Sequence, residues 1–479
     1  MDPDVFRRFG HEVVEWVADY LQEVERYPVL SPLRPGEVRG QIPSAPPPTG
    51  QPMDVILADF KDVILPGITH WNHPRFFAYF PANNSGPSIL AELLCAGLGV
   101  NAMLWQTSPA ATELEEAVME WLRQMLGLPD GFRGAIQDTA STATLCAILC
   151  ARERMTGFEV NSRGLGETTA SAPLRVYASR ESHSSVEKGV RIAGFGSQNL
   201  VTVSVDEAYA MDPRDLEARV EGDLGRGFRP CCVVATVGTT SSTALDPLKA
   251  IGEISRRHGL WLHVDAALAG SAAILPEMRW IIDGVELADS FVFNPHKWLF
   301  TNFDCSAFFC RHPEIVTATF SVLPEYLKTD LDREVTNFRD WGIQLGRRFR
   351  ALKLWFVLRY YGLDGLQARL RTHLSLAREF KGWVEESQEF ELMAPVPLNT
   401  VCFRFNPWKG SAKGVEDAEL DRLNKALLDE VNRTGRIFIT HTRLSGRFCL
   451  RLCVGQTQTH RRHVEEAWQT IKDASHGRC

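Results

Sequence analysis

The chain has 479 residues, 44% of them hydrophobic and 23% charged, enough to bury a substantial core and ordinarily to divide into roughly two or three domains. Its 52 Lys and Arg against 59 Asp and Glu leave a net charge of −7, and with no basic run or basic patch interleaved with aromatics a nucleic-acid partner is not expected. No run of about twenty apolar residues is available to span a bilayer, and the opening Met1-Asp2-Pro3-Asp4 lacks a charged-then-apolar leader, so a cytoplasmic protein is expected. Eleven scattered cysteines without a paired CxxC speak for reduced thiols and against a zinc site.

In chain order, residues 1–85 read as a helical opening, a proline-rich crossing from Pro43 to Pro52 and an amphipathic segment from Met53 to Leu65, with no core of their own. Residues 86–352 alternate short apolar runs with helical patterns such as Pro247 to His258, which predicts a mostly parallel sheet covered on both faces. Within them, Gln137-Asp138-Thr139-Ala140-Ser141 leads into a helical pattern from Thr142 to Arg154. Unsatisfied N–H groups and the helix dipole favour an anion at such a start, so Thr139, Ala140 and Ser141 form a candidate phosphate cradle. Read alone, the segment is more often an ordinary N-cap.

The strand-like run Leu174 to Ala178 is followed by Ser182-His183-Ser184-Ser185, whose imidazole can stack on a ring, although a lone histidine is more often structural. The run Cys231 to Ala235 opens into Thr236-Val237-Gly238-Thr239-Thr240 and brings a further hydroxyl to the same edge. Two more runs, Leu260 to Val264 and Ser290 to Phe293, end in His263-Val264-Asp265-Ala266-Ala267 and Asn294-Pro295-His296-Lys297. Asp265 and Lys297, 32 residues apart, should therefore both emerge at the carboxyl edge of one parallel sheet. A lysine there can form an imine with an aldehyde, and a carboxylate on the neighbouring strand can keep a pyridine nitrogen protonated. The pair describes pyridoxal phosphate, where either residue alone would read as a solvated acid or base.

Further on, Pro324-Glu325-Tyr326-Leu327-Lys328 precedes a polar stretch from Lys328 to Arg333 that suits a flexible loop. Residues 353–479 turn strongly helical, then offer strand-like Val401 to Phe405, Arg436 to Thr440 and Cys449 to Val454 before a terminal helix from His460 to Asp473, a small α+β domain. There is no internal repeat, and Gly164-Leu165-Gly166 is too weak for a dinucleotide fingerprint.

With these motifs in place the chain resembles the aromatic L-amino-acid decarboxylases, in the group II, fold type I branch of the pyridoxal phosphate enzymes. The likeness runs almost end to end, through Phe6-Arg7-Arg8-Phe9-Gly10-His11, His70-Trp71, Phe76-Phe77-Ala78-Tyr79-Phe80-Pro81, Ser108-Pro109-Ala110-Ala111-Thr112-Glu113-Leu114-Glu115, Asn302-Phe303-Asp304-Cys305-Ser306 and Leu345-Gly346-Arg347-Arg348-Phe349-Arg350 to Leu354-Trp355-Phe356. It implies an aspartate aminotransferase-like α/β fold in which residues 1–85 wrap a partner subunit, residues 86–352 bind the cofactor and residues 353–479 form the small domain of a homodimer.

The resemblance also implies roles. Lys297 forms the imine with the cofactor, Asp265 pairs with the pyridinium, His183 stacks on one ring face and Ala267 packs against the other. Ala140, Ser141, Asn294 and His296 fall at the phosphate or its surroundings, and Thr240 brings a hydroxyl to the cofactor. Tyr326, in a segment similar to the family's mobile catalytic loop, donates the proton that completes amine formation. Related enzymes that form aldehydes from the same substrates often lack this tyrosine or alter the histidine; both are present here, so an amine product is expected, with oxidative aldehyde synthesis as the alternative. Trp71, Tyr79, Phe80 and Pro81 match positions that wall the substrate ring, where aromatic walls suit an aromatic amino acid.

Gly346 is glycine in the aromatic decarboxylases and serine in the animal histidine decarboxylases. Where animal members carry Thr, Ile, Phe and Tyr, this chain has Ala82, Asn101, Met103 and Leu268, and Leu98-Gly99-Val100 and Asp340-Trp341-Gly342-Ile343 look more like bacterial members. Asn101 is suited to hydrogen-bond a catechol, phenol or indole, and Met103 to adapt to any of them. DOPA, tryptophan, tyrosine, phenylalanine and 5-hydroxytryptophan all remain open as substrates.

Overall fold

A computed structural model describes all residues except 170–171, 323, 328, 333, 412–414 and 477–479. The chain divides into two compact units. The larger, Ala82–Ser375 with Ala394–Thr400, is built on a seven-stranded sheet. Its strands are β1 (Arg133–Gln137), β2 (Leu174–Ser179), β3 (Leu200–Val203), β4 (Arg229–Thr236), β5 (Trp261–Asp265), β6 (Ser290–Phe293) and β7 (Ser306–Cys310), in the order β1-β7-β6-β5-β4-β2-β3.

Strands β6, β5, β4, β2 and β3 are parallel, and β7 runs antiparallel to both of its neighbours, so β1 and β6 point the same way. The central strands carry nearly unbroken apolar runs because both of their faces are covered: every residue of β5, β6 and β7 is buried. The register pairs Thr236 with Asp265 and Asp265 with Val292, which brings the ends of β4, β5 and β6 to one edge. Two glycines permit the close packing there. A Cβ on Gly270 would lie 2.3 Å from Phe293 Cβ, and Gly238, at φ +85°, would place one 2.8 Å from Ala269 Cβ.

The second unit gathers Met1–Pro81, Leu376–Met393 and Val401–Cys479. Its antiparallel sheet has the order β10-β11-β9-β8, from β8 (Phe390–Leu392), β9 (Thr400–Phe405), β10 (Thr440–Leu444) and β11 (Arg447–Cys453). The N-terminal helix Pro3–Glu23 is capped by Asp2, which accepts the N–H groups of Asp4 and Val5 at 3.0 and 2.9 Å. The segment from Met53 is helical to Asp59 and continues as a π turn and a 3-10 turn.

One expected strand is displaced. The apolar alternation of Ile437 and Ile439 suggests a strand from Arg436 to Thr440, but the strand begins at Thr440 and runs to Leu444. Both side chains are fully buried, yet the backbone around Phe438 pairs elsewhere: it accepts the N–H of Phe77 at 2.9 Å and bridges Phe76. Among the described residues no helix is long and apolar enough to cross a membrane.

Candidate active site

Asp265 ends β5 and is only 4% exposed, its Oδ1 accepting the N–H of Ala267 at 3.0 Å. Asn294 follows β6, and its N–H donates to Ala267 O at 2.9 Å, tying the two strand ends together. Lys297 stands in the one-turn helix Pro295–Trp298, its N–H donating to Asn294 O at 2.9 Å. The Asn294 side chain is buried and accepts the Ser306 hydroxyl at 2.7 Å, which fixes this turn against the start of β7.

His183 caps the helix Ser184–Ile192. Its Nδ1 accepts the Ser185 N–H at 3.1 Å, which leaves Nε2 to carry the proton of the neutral ring. Burial holds this imidazole below its ordinary value; the Asp265 carboxylate opposes the shift, and the Lys297 and Lys188 cations reinforce it. Asp265 and Lys297 are therefore both within electrostatic reach of His183.

His296 is pushed down to about 3 by burial, with Lys297 and Lys353 adding to the effect and Asp138 opposing it. Its Nδ1 accepts the Cys305 N–H at 2.9 Å, so this neutral ring braces the lysine turn. Asp138 begins the cradle that follows β1, where Thr139 N–H donates to Asp138 Oδ1 at 2.6 Å and Thr139 Oγ1 weakly caps the helix Ala140–Thr156 through Thr142 N–H at 3.4 Å. Ala140 is buried and Ser141 exposed at the first turn. Ala267 is partly buried against the core, and Thr240 is exposed in the turn after β4.

Tyr326 lies in the 3-10 turn Glu325–Leu327 and is 78% exposed. The turn is anchored by the buried guanidinium of Arg339, which donates to Leu327 O and pairs with Asp332 at 3.2 Å. Lys328 and Arg333, expected to bound the flexible stretch, lie outside the described residues. Asn101, Met103 and Gly346 come together: Asn101 Nδ2 is 3.6 Å from Met103 Sδ, and a Cβ on Gly346 would lie 3.8 Å from the same nitrogen.

Trp71, Tyr79, Phe80 and Pro81 belong to the second unit. Trp71 and Tyr79 stack at 5.8 Å and 15°, Arg451 lies 4.6 Å over Phe80 while donating to Tyr79 O, and Pro81 packs on Gly455, whose Cβ would come within 2.6 Å.

Residues 35–406 match the pyridoxal-dependent decarboxylase conserved domain. The chain belongs to the pyridoxal-dependent decarboxylases. It is 43% identical to a phenylacetaldehyde synthase of Arabidopsis thaliana over 99% of this chain and 96% of that protein, and 41% identical to tyrosine decarboxylase 4 of Petroselinum crispum over 99% and 94%. The solved structure of Oryza sativa TDC with PLP and tryptamine superposes with a TM-score of 0.95 at 37% identity, covering 99% of this chain and 98% of that one. The fold is accordingly that of the fold type I pyridoxal phosphate enzymes.

The residues of this pyridoxal-dependent decarboxylase fit the cofactor. An amine, a buried carboxylate and a neutral imidazole meet at one sheet edge, beside a helix start. Two buried hydroxyls on the last residues of adjacent strands, Ser179 Oγ of β2 and Thr236 Oγ1 of β4, have no hydrogen-bond partner among the described residues, as befits an edge built to receive a polar group. Sequence reading missed Arg339, Arg451 and the buried pair of Arg347 with Glu115, joined at 2.6 Å. Only Arg339 carried a local signal, as a cation between Phe338 and Asp340 just beyond the Tyr326 loop.

Proposed function

We propose that this chain converts an aromatic L-amino acid to the corresponding arylalkylamine and carbon dioxide, as a cytoplasmic homodimer. The grouping of His183, Asp265 and Lys297 at one sheet edge, within a pyridoxal-dependent decarboxylase, is the observation that carries this reading. Bound pyridoxal phosphate supplies an aldehyde that takes up the substrate amine and a protonated pyridine ring that accepts the electron pair left as carbon dioxide departs. Lys297 would hold the cofactor through its aldehyde. Asp265, shielded from water, keeps the pyridine nitrogen protonated.

His183 and Ala267 would each pack against the cofactor ring, and the Nε2 proton of neutral His183 would be available to the substrate carboxylate. Thr139, Ala140, Ser141, Asn294 and His296 hold or border the phosphate, and Thr240 reaches the cofactor. Tyr326 hands a proton to the substrate alpha carbon, a transfer typically worth a factor of about a hundred to ten thousand. Asn101, Met103 and Gly346 border the substrate ring, and Trp71, Tyr79, Phe80 and Pro81 offer aromatic and apolar surface suited to an aromatic side chain.

The dimer reading is supported by the helix Gly86–Leu98, which exposes Leu90, Leu93, Leu94 and Leu98 along one face, an apolar stripe of the kind that marks an interface. Residues 1–85 then serve as the segment that wraps the second subunit.

Oxidative aldehyde synthesis is the second reading, favoured by the likeness to a phenylacetaldehyde synthase and opposed by the presence of both Tyr326 and His183. The test is an equimolar panel of aromatic, acidic and histidine substrates given to the purified, cofactor-loaded protein, with products followed by mass spectrometry. Selective release of an arylalkylamine is expected. Preference for an acidic substrate or histidine, or a predominantly aldehyde product, would overturn the proposal.

A further inference from the structure

Asn101 is an amide whose orientation the backbone decides. The Arg347 N–H donates to its Oδ1 at 3.0 Å, and because an N–H requires an acceptor, the oxygen is committed and Nδ2 faces the other way. The segment is held rigidly: Ala102 N–H donates to Arg347 O at 2.8 Å, and the Thr107 hydroxyl donates to Asn101 O at 2.9 Å. Arg347 is itself fixed by Glu115 and by Ile136 O at 2.8 Å.

What Nδ2 meets is the weak acceptor Met103 Sδ at 3.6 Å; Asn101 is exposed, so its remaining hydrogen faces solvent that a bound ring would displace. Gly346 offers no side chain that would shield this N–H. The patch is also tied to the Tyr326 loop through one residue: Arg339 donates its backbone N–H to Met103 O at 3.0 Å and its guanidinium to Leu327 O.

We infer that Asn101 is a specificity residue that donates a hydrogen bond from Nδ2 to a hydroxyl oxygen on the substrate ring, so that the enzyme takes hydroxyphenyl amino acids in preference to phenyl or indolyl ones. The inference rests on the proposal that Asn101, Met103 and Gly346 border the substrate ring. A phenol oxygen accepts the bond, a phenyl ring offers nothing to it, and an indole N–H, being a donor, opposes it. Sites built to hydrogen-bond a substrate hydroxyl discriminate against the analogue without it because a polar group is otherwise left unpaired.

The experiment compares kcat/KM for L-tyrosine and L-phenylalanine in the cofactor-loaded wild type and in Asn101→Leu, together with calorimetric binding of tyramine and phenethylamine to the same holoenzymes. The wild type should favour tyrosine by about tenfold or more, and Asn101→Leu should cut that ratio about tenfold; tyramine should lose its binding advantage in parallel. Equal handling of the two ring types by the wild type, or a ratio that Asn101→Leu leaves unmoved, would overturn the inference while amine formation from both left the decarboxylase reading standing. Conversely, tighter tyramine binding that depends on Asn101, without turnover, would retain the hydroxyl contact and overturn the decarboxylase reading. Should Asn101→Leu fail to bind cofactor, the wild-type comparison decides.

Discussion

In the proposed mechanism Lys297, Asp265 and His183 divide the work by chemistry: one amine that can bond covalently, one carboxylate shielded enough to keep a proton on its partner, and one imidazole that burial keeps neutral. Removing the carboxylate would strand a buried pyridinium, so Asp265→Ala is expected to lose at least about a hundredfold in kcat even when saturated with cofactor; turnover within a few fold of wild type would refute its role. Tyr326→Phe keeps the ring and deletes only the acidic proton. Its product mixture should move from amine towards aldehyde, ammonia and peroxide, and an unchanged ratio by mass spectrometry would remove Tyr326 from the mechanism. The positions of Asp265 and Lys297 at one sheet edge were legible because each closely follows a buried apolar run. The orientation of Asn101 was not, because it depends on a backbone N–H 246 residues away.

At the scale of elements, the ends of β4, β5 and β6 were readable from their apolar runs, since buried parallel strands leave little choice of period. The strand expected at Arg436 to Thr440 failed because burial of Ile437 and Ile439 is shared by strands and by irregular segments pinned to a neighbour. The Glu115–Arg347 pair was equally hidden. It joins the helix Pro109–Leu126 to the segment after Gly346, and Glu115 Oε1 also accepts the Ile136 N–H at 2.8 Å. Glu115→Ala would leave the guanidinium buried without its partner, and a loss of roughly 3–5 kcal/mol is expected, read as a lower denaturant midpoint at unchanged slope. A midpoint equal to wild type would show that the pair holds nothing.

For the whole molecule, histidines that burial keeps neutral weaken the fold in acid, three of them most strongly. His73, His263 and His296 are each pushed to about 3, with burial the main cause. Unfolding lets them take up protons below their ordinary value near 6.5, so stability falls as pH drops below that value, by roughly 1.4 kcal/mol per group per pH unit. Asp246, raised by burial to about 7, works the opposite way over the same interval, because the folded state keeps a proton that the unfolded state releases. Melting temperature should therefore decline steadily from pH 6.5 to 5, and a flat profile would mean that these rings are hydrated in the folded protein. The same scale holds the exposed Leu90, Leu93, Leu94 and Leu98 stripe, where Leu94→Glu is expected to convert a dimer to monomer by light scattering.

The most direct test of the central claim is stoichiometry: cofactor-loaded wild type given its preferred aromatic L-amino acid, with carbon dioxide, amine, aldehyde and dissolved oxygen followed together. One amine for each carbon dioxide with no oxygen consumed is the predicted result. Aldehyde and ammonia in place of amine, with oxygen uptake and peroxide, would contradict it.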